Sequence, residues 1–182
     1  MARGSKRVEI VDAVVAIVER HGLTAVTLDA VAAQTGLTRP GLLYHYPSRE
    51  ALVRATHQHL IDSWEAGLAA VAGKSCEEAT PEERSAAYIT MCAQSTRRAE
   101  LLLMMESVDD PELEASWRRL IERWAPPMPR GGDPRALDAF IARLAADGLW
   151  FLTAIPGQMN PDLCAVVTRR LVEMSRTSEQ AA

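Results

Sequence analysis

Between Gly36 and Arg49 the chain gathers side chains able to grip a phosphodiester backbone and read the edges of bases. Arg39 carries a planar fork of donors that matches guanine, or a phosphate, bidentately. Thr38 and Ser48 offer hydroxyls. Tyr44 and His45 carry polar tips on short aromatic stems, suited to phosphate oxygens. Arg49 adds a second guanidinium. Pro40, Gly41 and Leu43 lie among them and project little or no polar side chain, so base reading rests on Thr38 and Arg39. Arg3 and Lys6 sit at a basic N-terminal tip, and Thr27 opens the segment. Other chemistry has less support. His57 and His59 are two residues apart and diverge on a helix, so they do not form an i, i+4 metal pair. No glycine-rich phosphate loop or nucleophile motif occurs. No residue is assigned a catalytic, metal-binding or cofactor-binding role.

These residues must be held by two short helices and a tight turn. Thr27 is placed to cap a helix whose first turn carries Asp29. Gly36 supplies the left-handed residue that ends it. Thr38 caps a second helix with Pro40 in its first turn, and Tyr46-Pro47 ends that. Ser48 caps a long helix predicted to reach Ala72. Val8, Val11, Val14, Val15 and Val18 give a preceding helix one apolar face. Val31, Leu37 and Leu42 provide a small shared core, with Ala32 or Ala33 at the close approach. This is the build of a helix-turn-helix in which the helix 38–45 enters the major groove.

The run Gly36-Leu37-Thr38-Arg39-Pro40-Gly41-Leu42-Leu43-Tyr44-His45-Tyr46-Pro47-Ser48-Arg49-Glu50-Ala51-Leu52 resembles the signature of TetR-family transcriptional regulators. The match covers about residues 6 to 54. Leu43 stands where the family's first aromatic usually sits, Tyr46 replaces the usual Phe, and Arg49 the usual Lys. The resemblance implies an all-α protein: a DNA-binding domain over residues 1–52, then a ligand-binding and dimerisation domain over residues 53–182. It implies a homodimer that binds a palindromic double-stranded DNA operator and is released by a small-molecule effector, here of apolar character.

Further helices are predicted from Pro81 to Thr96, Arg98 to Val108, Glu112 to Ala125, Pro134 to Ile155 and Pro161 to Ser175. Leu101, Leu102, Leu103, Met104 and Met105 surround theirs with apolar groups, so that helix is expected to be buried. Met91, Cys92, Met104, Met105, Trp117, Trp124, Trp150 and Phe151 are candidate pocket walls. Phe140, Leu144, Leu149, Leu163, Val167 and Leu171 are candidates for a self-pairing interface between the last two helices. Gly148, mid-helix and costly there, is expected to mark close packing.

Composition bounds these readings. The chain has 182 residues, 48% hydrophobic and 24% charged, with a net charge of −4. Residues 1–60 hold seven Lys/Arg against five Asp/Glu, and the remainder 13 against 19, so the basic side is the N-terminal part. No stretch has the ~18 uninterrupted apolar residues of a membrane span. The N-terminus lacks the apolar core of a secretory signal. Cys76, Cys92 and Cys164 are scattered and odd in number, which predicts a reducing, cytoplasmic setting. The alternative is a helical small-molecule carrier or adaptor whose helix-turn-helix is only scaffold. Arg3, Lys6, Arg39, Tyr44 and His45 on one surface would be useless to such a protein.

Overall fold

The computed structural model describes residues 3–94, 97–108 and 110–176. Among the described residues there are nine α-helices, one short 3-10 turn and no strand. The helices are α1 (Arg3–His21), α2 (Leu28–Thr35), α3 (Arg39–His45), α4 (Arg49–Ala72), α5 (Pro81–Gln94), α6 (Arg98–Ser107), α7 (Pro111–Trp124), α8 (Pro134–Thr153) and α9 (Pro161–Arg176). The all-α expectation holds, with ends within a few residues of those read from caps and prolines.

The chain divides into two compact units: Met1–Ser63 with Arg97–Ser116, and Trp64–Thr96 with Trp117–Ala182. The division between these units falls inside α4, and it groups α6 with the N-terminal helices. In the first unit α1 packs on α2 and α6, and α2 packs on α3. The core is the apolar face of α1 (Ile10, Val11, Val14, Val15, Val18) together with Val26, Val31, Leu42 and Leu52.

The expectation that α6 is buried all round does not hold. Ala99 and Leu103 are buried, whereas Met105 is 65% exposed and Val108 is exposed too. A helix packed along one side buries only the residues near that line, so the run Leu101 to Met105 cannot all turn inward.

In the second unit α5, α8 and α9 pack on one another. The start of α5 is a reciprocal cap. The Thr80 backbone N–H donates to Glu83 at 2.9 Å, and the Glu83 N–H donates to the Thr80 hydroxyl at 3.2 Å. Helix α8 has two apolar sides. Ala142, Ala146 and Leu149 are buried, while Leu137, Ile141, Leu144 and Phe151 are exposed. Spacings of four and three residues put the exposed set, with Gly148, on one line.

No described helix is long and apolar enough to cross a membrane.

Candidate nucleic-acid interface

The turn between α2 and α3 is set by local hydrogen bonds. The Thr27 hydroxyl accepts from the Ala30 N–H at 3.1 Å. Gly36, at φ 65°, ends α2 by donating its N–H to the Ala32 and Ala33 carbonyls. The Leu37 N–H reaches the Ala32 carbonyl at 2.9 Å, which closes the turn. The Thr38 hydroxyl accepts from the Gly41 N–H at 3.2 Å. A Cβ on Gly41 would stand 3.2 Å from that same hydroxyl oxygen, so glycine keeps the cap uncrowded. Tyr46 leaves helical geometry and ends α3. The Ser48 hydroxyl then accepts from the Ala51 N–H at 3.1 Å at the start of α4.

Leu42 is the buried residue of α3. Thr38, Arg39, Pro40 and Tyr44 are exposed, and Gly41, Leu43 and His45 are half-buried. The helix thus turns one leucine inward and presents its first turn and Tyr44 outward. The Tyr44 and His45 rings meet edge to face at 5.3 Å. The sequence-predicted contact residues of α3 therefore lie together on one short helix.

Several of them also carry structural tasks that sequence reading missed. Arg39 Nη1 donates to both carboxylate oxygens of Asp29, at 3.2 and 3.1 Å. Arg49 Nε donates to the Val26 carbonyl at 2.8 Å, tying α4 to the segment that precedes α2. Lys6 donates to Glu9 at 2.7 Å and to the Thr35 carbonyl at 3.2 Å, so it holds the end of α2. Thr27 and Thr38, by contrast, serve as the caps that their positions in the sequence predict. Tyr46, buried, donates its hydroxyl to the Arg7 carbonyl at 3.3 Å while the Arg7 guanidinium stacks over its ring at 4.5 Å. The side chain of Arg3 lies outside the described residues.

His57 and His59 do diverge. His57 is fully buried, with Nε2 3.5 Å from Glu106; His59 Nε2 lies 3.0 Å from Asp12. Burial pushes the His57 pKa below its ordinary value, against the opposing pull of Glu106.

The eight candidate pocket residues fall in both units. Met104 and Met105 belong to the first unit, the other six to the second. Trp117, Trp124 and Cys92 are core residues, and Phe151 stands on the exposed line of α8. None of the eight lines the cavity of about 700 Å³ bounded by α5, α8 and α9. Trp150 meets Trp64 edge to face at 6.3 Å. Burial pushes the Cys92 thiol far up, so it stays protonated. Nearby, the Tyr88 hydroxyl donates to Asp147 at 2.6 Å. Burial raises the pKa of that carboxyl against the opposing pull of the hydrogen bond.

The interface candidates also separate. Leu144 and Leu163 are each 54% exposed, and Phe140 and Val167 are half-buried. Leu149 and Leu171 are buried within the protomer, 4% and 7% exposed, and are not available to a second chain. At about 100° per residue Leu149 stands about 140° around α8 from Leu144, and Leu171 about 80° around α9 from Leu163, differences in facing that periodicity alone does not settle. Gly148 has no packing neighbour inside the protomer: a Cβ there would meet nothing within 4 Å.

A capped two-helix reader with an exposed arginine, threonine and tyrosine on its second helix defines a helix-turn-helix DNA-binding regulator. Residues 10–56 match the model for bacterial regulatory proteins of the tetR family, and residues 82–176 match that for a tetracyclin repressor-like C-terminal domain. The chain belongs to the TetR family of transcriptional regulators. It is similar to the HTH-type transcriptional regulator BetI of Paraburkholderia phymatum, 24% identical over 85% of this chain and 84% of that protein. Among solved structures, a TetR-like transcriptional regulator from Rhodococcus sp. RHA1 matches with a TM-score of 0.62 and 18% identity, covering 96% of each chain. The multidrug binding protein EbrR, complexed with imidazole, matches with a TM-score of 0.54 and 20% identity, over 91% of this chain and 94% of that one.

Proposed function

We propose that the chain is a homodimeric repressor. On this reading two copies of α3 enter successive major grooves of a palindromic operator, about 34–36 Å apart. The observation that carries this is the exposed first turn of α3 on a fully capped helix-turn-helix. Arg39 and Thr38 face the bases. Tyr44, His45, Ser48 and Arg49 serve the phosphates, with Lys6 and Arg3 alongside. Arg39 must let go of Asp29 to do so, and both groups are exposed enough to make that exchange cheap.

The exposed line of Leu137, Ile141, Leu144, Gly148 and Phe151 on α8, with Leu163 and Val166 on α9, is the self-pairing surface. An apolar stripe left open along two adjacent helices supports this, since water is a poor cover for it. A small-molecule effector bound in the second unit shifts the population away from the DNA-competent form. It needs a preference of a few kcal/mol for the released form.

A gel-shift series across the promoter DNA flanking the gene tests the reading. A retarded band that narrows to one palindromic site is expected. No band even at low salt would overturn it.

A further inference from the structure

The cavity between α5, α8 and α9, about 700 Å³, falls within the ~300–1,000 Å³ usual for small-molecule sites. Its walls are unevenly divided. Ala93, Leu152, Ile155, Ala165 and Val172 give it an apolar floor. The hydroxyls of Thr90 and Thr168, also in the lining, already donate to the Ala86 and Cys164 carbonyls of their own helices, each at 2.7 Å. They have no proton left for a ligand.

Charge enters from one side. Arg169 and Arg176 both line the cavity, seven residues or about 10 Å apart along α9, and straddle Val172. Neither has an ion-pair partner among the described residues. Glu173, the acid of the lining, is engaged by Arg170 at 3.5 Å. The cavity therefore pairs an apolar floor with two available guanidiniums.

Its position also matters. At about 100° per residue, Ala165 and Val172 lie on the side of α9 away from Leu163 and Val166. Pairing two chains through the exposed stripe leaves this cavity uncovered.

We propose that this cavity is the effector site and that it takes an amphipathic carboxylate. The apolar chain lies against Leu152, Ala165 and Val172, and the carboxylate sits between Arg169 and Arg176. Guanidinium and carboxylate form the strongest class of charge-assisted hydrogen bond, and the floor rewards each methylene it covers. The effector role rests on the repressor reading above; the binding does not.

Titration calorimetry of the full chain with decanoate, decanol and decyltrimethylammonium reads the binding directly. Decanoate should bind at one site per chain and more tightly than either other probe, by at least about tenfold, as loss of a charge-assisted hydrogen bond requires. The doubly substituted Arg169→Gln, Arg176→Gln chain should lose that preference while keeping its helical circular dichroism. Ala165→Trp, which fills the floor, should abolish binding of all three. Equal binding of the three probes, or an unchanged decanoate affinity in the double variant, would overturn the carboxylate assignment. A parallel gel shift separates the two readings. Decanoate binding that leaves a protein–DNA band unchanged overturns the effector role alone, whereas absence of any band with decanoate still bound overturns the repressor reading and the effector role with it, and leaves the carboxylate binding standing.

Discussion

Arg39 and Asp29 are held together across the helix-turn-helix, with one Arg39 nitrogen within 3.2 Å of both Asp29 carboxylate oxygens. The residue best equipped to read a base is thus occupied in the free protein by a group ten positions earlier. The pair is solvent-exposed, so it adds little to stability and screens easily. Asp29→Asn should tighten binding to every DNA sequence severalfold, because a negative charge near the phosphates is gone and Arg39 is released. Arg39→Ala should cost about 1–3 kcal/mol at its operator position and flatten discrimination there. Fluorescence anisotropy with operator and scrambled duplexes across a salt series reads both. Unchanged discrimination in Arg39→Ala would place base reading elsewhere.

The helix-turn-helix was legible because its signals are local. Thr27, Gly36, Thr38 and Ser48 each act on backbone groups within a few positions, so residue type and spacing alone define the geometry. What Arg39, Arg49 and Lys6 do in the free protein was not legible. Their partners Asp29, Val26 and Thr35 lie 10, 23 and 29 positions away. The same limit explains Leu149 and Leu171. An amphipathic helix with apolar groups on two sides does not say which side faces its own core. The cavity lining, drawn from three helices and a loop, has no sequence signature.

Arg49 illustrates how a contact residue can also be a structural one. Its Nε–H to the Val26 carbonyl joins α4 to the reader. Arg49→Ala leaves that part-buried carbonyl unpaired and should destabilise the fold by about 1–3 kcal/mol. Arg49→Lys keeps the charge and should lose less DNA affinity than stability. Urea unfolding beside anisotropy distinguishes the two. A stability unchanged in Arg49→Ala would mean the bond contributes nothing in solution.

His57 makes the protein acid-sensitive. Its folded pKa lies below the ordinary value of 6.5 because the ring is buried, so the folded state resists protonation. The unfolded chain takes up its proton first as pH falls. Stability is therefore complete above about pH 6.5 and declines below it, levelling only beneath the folded pKa. His57→Gln keeps a side-chain donor and removes the titration, so it should flatten the dependence between about pH 5 and 7. Urea unfolding at a series of pH values measures it; an equal slope in the variant would assign the sensitivity to other groups.

Cysteine chemistry should be silent in the native protein. Cys76, Cys92 and Cys164 are all buried, and burial raises the thiol pKa of Cys76 and Cys92. The thiolate is the reactive species. A thiol-specific disulfide reagent should label neither Cys76 nor Cys92 rapidly in buffer, and all three cysteines in urea. Fast labelling of Cys92 in buffer would contradict its place in the core.

Gly148 separates the stability of one chain from the pairing of two. Glycine inside a helix costs about 1 kcal/mol relative to alanine, and the protomer gives nothing back for it, since a Cβ would meet open space. It lies instead on the exposed line between Leu144 and Phe151. If that line is where two copies meet, the glycine lets their backbones approach. Gly148→Trp should then leave helical circular dichroism intact while shifting the protein to monomer in sedimentation velocity. Operator affinity should fall with it, because each monomer reads one half-site. Gly148→Ala tests the same point from the other side: it should improve helix stability by about 1 kcal/mol in the monomeric background and gain less in the dimer. A Gly148→Trp chain that stays dimeric and binds DNA normally would move the self-pairing surface away from α8.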